Sequence, residues 1–136
     1  MATFTKINSF VEYLAEKRMN LGSDQLVIAL TNTVHTSTWD ELADLTQVSY
    51  TNLSTRNITT SSSAQTSGTY KLVLADLTLT SSGGTTGPFR YVYVYDDTAT
   101  NDDLIAYYDY GSSITLNDGD SLTINFDGTN GFLQIA

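Results

Sequence analysis

The sequence predicts a mainly β protein, an antiparallel β-sandwich or jelly-roll-like barrel with one N-terminal α-helix and a short second helical turn. Three observations carry this. The chain holds 22 Thr and 14 Ser in 136 residues with one Pro and only 15% charged residues. Thr suits a pleated, half-exposed surface, Ser and Gly suit tight turns, and a helical protein would want more Ala, Glu, Lys and Leu. From Val48 onward, short strand-like runs are separated by turns at the spacing of a sandwich or barrel. Capping-box spacing at Ser9–Glu12 and Thr38–Glu41 marks the one helix and the one short helical turn.

In chain order, residues 1–8 read as either an edge strand or an arm that orders on a partner, with Phe4 and Ile7 as its apolar contacts. Ser9-Phe10-Val11-Glu12 has capping-box spacing, Phe10, Val11, Leu14 and Arg18 share a face, and Gly22 suits a left-handed cap. These predict a helix over 9–19. The continuous apolar run 25–31 predicts a buried central strand. Thr38-Trp39-Asp40-Glu41 repeats the capping spacing and predicts a helical turn over 39–43, with Trp39 packed on a sheet edge rather than exposed to a ligand. Residues 48–50 and 57–59 are weak strands, and 60–68 reads as a polar loop. Residues 70–80 predict a long strand whose apolar parity flips near Ala75-Asp76, where a bulge or bend is expected. Residues 89–95 alternate strictly, with Tyr91, Tyr93 and Tyr95 on one face and Val92 and Val94 on the other. Strands over 104–110, 114–116, 121–126 and 132–135 follow, joined by the tight-turn residues of 117–120 and 127–131. No repeat period or linker interrupts the chain, so 1–136 reads as one domain.

Composition excludes several function classes. Six Lys plus Arg against fifteen Asp plus Glu give a net charge of −9. That field repels phosphates and anionic lipid, which argues against nucleic-acid and membrane-surface partners. Without Cys there is no disulfide, thiolate nucleophile or cysteine-held metal. The first residues lack the apolar core of a secretory signal, and no stretch is long enough for a membrane span, so synthesis in a cytoplasm is expected.

Few groups invite chemistry. His35 is the single imidazole, in a Thr-rich loop, and no serine has a nucleophile-elbow pattern; an exposed loop histidine is the expected role. Asp96, Asp97, Asp102, Asp103, Asp109, Asp118, Asp120 and Asp127 cluster in the C-terminal half. A pair of them would suit glycoside hydrolysis and a loop of them calcium, but turn geometry explains Asp at these places, and 117–120 is not an EF-hand loop. No catalytic residue, cofactor or metal ligand is assigned. The nine tyrosines are the remaining feature. If the strand carrying Tyr91, Tyr93 and Tyr95 pairs with the one carrying Tyr107, Tyr108 and Tyr110, the tyrosines form a ladder on one sheet face that either stacks sugar rings or a partner, or stabilises a half-buried face.

The stretches Phe4-Thr5-Lys6-Ile7-Asn8-Ser9-Phe10, Asn20-Leu21-Gly22-Ser23-Asp24 and Ile28-Ala29-Leu30-Thr31-Asn32-Thr33 resemble small structural proteins of tailed bacteriophages. So do Gly87-Pro88-Phe89-Arg90-Tyr91, Tyr95-Asp96-Asp97-Thr98-Ala99-Thr100, Asp109-Tyr110-Gly111-Ser112 and the closing run from Asp118 to Phe126. The resemblance spans nearly the whole length and contains no catalytic motif. It implies a non-enzymatic virion component, in first place a capsid cement or decoration protein. Such a protein sits on the capsid exterior, binds the major capsid protein and is a homo-oligomer, here expected as a dimer or trimer. A tail or baseplate component and a carbohydrate-binding β-sandwich are the alternatives. The interface candidates are Phe4, Ile7, Tyr91, Tyr93, Tyr95 and Tyr107.

Overall fold

The apolar run at 25–31 forms the centre of the molecule. In the computed structural model, which describes residues 2–136, it becomes β2 (Leu26–Thr31), buried at every position. β2 pairs antiparallel with β7 (Thr86–Asp96), β7 with β8 (Leu104–Leu116), and β8 with the N-terminal β1 (Thr3–Lys6). β3 (Asn57–Ile58) lies on the other side of β2, completing a five-stranded sheet ordered β1-β8-β7-β2-β3. The residues ahead of the helix are therefore an edge strand of the protein's own sheet.

Two smaller antiparallel sheets complete a mainly β, sandwich-like arrangement. One joins β4 (Thr60–Thr66), β5 (Thr69–Leu74) and β10 (Leu133–Ile135), and the other β6 (Leu77–Thr80) and β9 (Ser121–Ile124). Leu72, Leu74, Leu79, Ile124, Phe126 and Phe132 from this side share one core with Val92, Val94 and Tyr108 of the large sheet. The opposite face, carrying the tyrosines of β7, is covered by the irregular segment 32–56. Both faces of β7 are thus buried, as expected for a central strand.

Several local expectations need correction. The helix, α1, runs only over Phe10–Ala15, and Ser9 makes no side-chain cap. It stops at Lys17 (φ +66), not Gly22, by a Schellman closure: Arg18 N–H donates to Tyr13 O and Lys17 N–H to Leu14 O. This early stop leaves Met19 and Leu21 in the core and brings the Arg18 guanidinium onto Asp103. The second helical turn is a 3₁₀ turn at Leu42–Asp44, slightly later than expected. The amides of Asp40 and Glu41 just ahead of it donate to the Asp44 carboxylate, and its first amide, of Leu42, donates to Asp102 O.

The expected loop at 60–68 is mostly strand β4, because its Ser and Thr pair with β5 across a tight turn in which Ser67 (φ +51) and Gly68 (φ +84) are both left-handed. The break at Ala75-Asp76 falls where the parity flips, but it passes the chain between two sheets, from β5 to β6. The two strands expected over 104–116 are one, continuous through Gly111. Residues 48–50 form no strand.

The two edges of the large sheet differ. Beyond the two residues of β3, the outer side of β2 is closed by loop groups. Leu30 N–H donates to the Tyr50 hydroxyl (2.9 Å), and Val48 N–H donates to Leu30 O (3.0 Å). Ile28 N–H donates to Arg56 O (2.9 Å), and the Arg56 guanidinium donates to Ile28 O (2.7 Å). Among the described residues nothing bonds to the outer edge of β1, whose four residues are all exposed.

Candidate functional site

The tyrosine ladder forms, and it is packed away. Tyr93 lies opposite Tyr107 with rings stacked at 5.0 Å, and Tyr91 meets Tyr107 edge-on at 6.1 Å. Tyr91, Tyr93 and Tyr95 are 4%, 0% and 4% exposed, so they offer no stacking platform, and Tyr107 is half-buried. The cover comes from segment 32–56. Here His35 departs from its expected role as an exposed loop residue. Its Nδ1 lies 2.8 Å from the Tyr93 hydroxyl, and its ring is 4.6 Å from that of Tyr107. Burial lowers the His35 pKa and raises that of Tyr93 well above the phenol range. Trp39 packs edge-on against His35, half-buried, and Arg56 stacks on Tyr50 at 3.8 Å. Ile7 is buried, its N–H bonded to Ile105 O, and contributes to the core rather than to a surface.

The acidic residues hold turns and cations. Asp103, 1% exposed, takes two bonds from Arg18, and Asp109 takes two from Arg90, which holds the Asp109 carboxyl below its usual range. Asp118 accepts from Gly83 N–H, and Asp120 from Asn117 N–H. Among the described residues no three His, Asp or Glu side chains converge on one point. Among the described residues Asp96 is the one acidic side chain with a buried oxygen that no donor reaches. It is 0% exposed; Oδ1 accepts from the amides of Thr98 and Ala99, while Oδ2 has no partner. Burial first, and then the facing Asp24 carboxyl, push its pKa up.

The surface feature that stands out lies on the opposite face from His35. A groove of about 780 Å³ runs between the β1–β8 edge and the 123–132 segment. Phe4 is directly paired with Tyr108 in register, and its ring meets Tyr108 at 5.6 Å and Phe132 at 5.4 Å, both edge-on. Phe132 in turn meets Phe126 at 5.8 Å, so Tyr108, Phe126 and Phe132 are a buried aromatic base beneath the groove, and Phe4 and Tyr110 are the rings that reach its surface. Phe4 is 40% exposed, one of few large apolar side chains facing water. The rim is polar. Asp76 accepts from Phe126 N–H, and Asp127 accepts from the amides of Thr129 and Asn130 and from the Asn130 side chain. These bonds lower the Asp127 pKa, keep it ionised and shape the 127–131 turn. Gly131 (φ +86) then brings the chain against β5, where an added Cβ would lie 2.9 Å from Leu72 O; this approach seats Phe132 in that base.

Of the six residues singled out from sequence, the structure thus brings only Phe4 to an open site. Tyr108 and Tyr110, expected in one ladder with Tyr107, lie instead on the opposite face and line this groove, and Phe126 and Phe132 were not singled out. Alternation along 104–110 separates Tyr108 from Tyr107, but the register that sets Phe4 against Tyr108 is a property of the folded sheet. No family model, curated protein or solved structure matches the chain.

Proposed function

We propose that the chain is a non-enzymatic structural protein of a tailed-phage virion, a cement or decoration protein that binds the outside of the major capsid shell. The observation that carries the reading is the Phe4 groove lying beside the open edge of β1. An exposed strand edge offers main-chain hydrogen bonds to an extended segment, and the Phe4 and Tyr110 rings offer apolar contact to a side chain of the same segment. The opposite edge of the sheet is closed by Tyr50 and Arg56, which leaves attachment to the β1 side. A module that binds assembled shell and not free subunits stabilises the shell by mass action, through RT ln(1 + [L]/Kd). With a net charge of −9, it meets a shell surface that is neutral or basic. The sequence resemblance supports a homo-oligomer, dimer or trimer, on the capsid exterior.

Localisation on purified virions by immunogold or subtomogram averaging tests this, with Phe4→Ala and Tyr110→Ala protein added back to shells lacking the chain. Regular density on the head and loss of rebinding in both variants are expected. Signal confined to the tail replaces this reading with a tail or baseplate component. One alternative has its own structural support. Phe4 and Tyr110, the rings that reach the groove surface, beside Asp76, Asn125 and Asp127 are also the chemistry of a saccharide site, where rings stack on C–H faces and carboxylates take hydroxyls. Glycan-array binding lost in Tyr110→Ala, with no signal on particles, establishes that reading instead.

A further inference from the structure

A main-chain nitrogen reaches a side-chain amide most easily where asparagine precedes glycine, because glycine has no Cβ to hold the nitrogen away. Asn130-Gly131 is the one such step in the chain. It ends the 127–131 turn, in which residues 127–130 are exposed and no side chain is apolar, directly before the buried Phe132.

Asp127 holds both groups that would have to react. Its Oδ2 accepts from Asn130 Nδ2 at 2.9 Å, and its Oδ1 accepts from Asn130 N–H at 3.0 Å. Its carbonyl oxygen accepts from Gly131 N–H at 2.7 Å. The bonds from Asn130 keep the Asp127 carboxyl below its usual range and so ionised. For the Gly131 nitrogen to meet Asn130 Cγ, the side chain must leave Asp127 and the Gly131 amide must give up its bond. The turn is tied by solvent-exposed hydrogen bonds and not by apolar packing, so it opens locally while the sheets stay folded.

We propose that Asn130 is a site of spontaneous deamidation in the folded protein, with Asp127 setting its rate. In the opened turn the Gly131 nitrogen attacks Asn130 Cγ. The N–Cγ bond forms, the Cγ–Nδ2 bond breaks, the Gly131 amide proton passes to solvent and Nδ2 leaves as ammonia. One water then opens the cyclic imide. Cleavage at the side-chain carbonyl gives aspartate, and cleavage at the main-chain carbonyl gives isoaspartate. Either product sets a new carboxylate beside Asp127 where an amide donor stood, and isoaspartate also lengthens the main chain by one carbon. The close approach of Gly131 to Leu72 O, which seats Phe132 beneath the Phe4 groove, depends on this turn, so the reaction alters one wall of the groove. The inference does not depend on the proposed function.

The test is peptide mapping by mass spectrometry, with aspartate and isoaspartate resolved. The full chain is held for weeks at pH 8.5 and 37 °C, in buffer or in 6 M guanidinium chloride. Asn130 is expected to convert ahead of every other asparagine in both, and about 10–100-fold more slowly in buffer, the factor that hydrogen bonds to an ionised carboxylate supply. Asp127→Gly removes the carboxylate and suits the backbone there (φ +54), so it should convert about tenfold faster than the parent in buffer. Equal parent rates in buffer and denaturant overturn the role of Asp127. So does an Asp127→Gly chain that is folded by circular dichroism and converts no faster than the parent. Another asparagine converting first in buffer, or no conversion at Asn130 there, overturns the site. The parent rates decide the matter even if the variant fails to fold.

Discussion

Replacing Tyr50 by Phe removes one oxygen and tests how the large sheet closes its edge. The Tyr50 hydroxyl accepts from Leu30 N–H at 2.9 Å and donates to Gln47 Oε1 at 2.7 Å. Leu30 is 0% exposed, so without that oxygen its amide is left in a dry place with no acceptor. An unsatisfied buried amide costs about 1–3 kcal/mol. The Phe ring keeps the packing and the Arg56 stacking, so the loss is assigned to the hydroxyl alone. At about 2.1 cal/mol/K of unfolding entropy per residue, 1 kcal/mol moves the Tm of a chain this long by about 3.5 °C, giving an expected fall of about 3–10 °C. Calorimetry measures it, with Gln47→Ala as control. Gln47 is exposed and water replaces it, so that variant should shift by less than about 2 °C. Hydrogen exchange adds a local readout, because the Leu30 amide should exchange faster relative to Ala29, whose register partner is Tyr93 of β7. A Tyr50→Phe Tm within about 1 °C of the parent and an unchanged Leu30 amide would refute the reasoning.

Three further outcomes are expected. Arg18→Met strands the buried Asp103 carboxylate and should cost about 2–4 kcal/mol in urea unfolding, discounted because Arg18 itself is 34% exposed; adding Asp103→Leu should restore most of the loss. His35 has a folded-state pKa below its unfolded one, so the unfolded chain binds the extra proton. Its contribution is full above the unfolded value of about 6.5 and is lost as pH falls through the folded value, so His35→Gln should flatten the decline in urea midpoint between pH 7 and 5 relative to the parent. Gly131→Ala forces a side chain into a left-handed backbone against Leu72 O and should cost more than about 1 kcal/mol, whereas Gly128→Ala, with open space and no positive φ, should be neutral or slightly stabilising by the same chemical-denaturation assay.

Legibility from sequence followed the range of the interactions involved. β2 was readable because a run of apolar and β-branched residues buried on both faces needs no partner to be recognised. The alternation in β7 placed Tyr91, Tyr93 and Tyr95 on one face correctly, and the parity flip near Ala75-Asp76 marked a real break. The helix end was misjudged because Gly22 is the residue that adopts a left-handed cap most cheaply, yet the Arg18–Asp103 ion pair, 85 positions apart in sequence, accompanies an earlier stop at Lys17. β4 was hidden for a related reason. A Ser/Thr tract is neutral between loop and strand until a neighbour supplies its hydrogen bonds.

The site was the least readable. Period-2 alternation fixes which residues share a face, and so the sequence by itself determined that the tyrosines of β7 would form a row and that the protein would be mainly β. Alternation says nothing about what covers each face. Tertiary structure decided that segment 32–56, with His35 and Arg56, lies over the tyrosine row, and that the register of β1 on β8 leaves Phe4 at the mouth of an aromatic groove. Those placements depend on long-range register and on which loop can satisfy an exposed strand edge, and both are settled by the summed hydrogen bonds and burial of the whole fold rather than by any local run of residues.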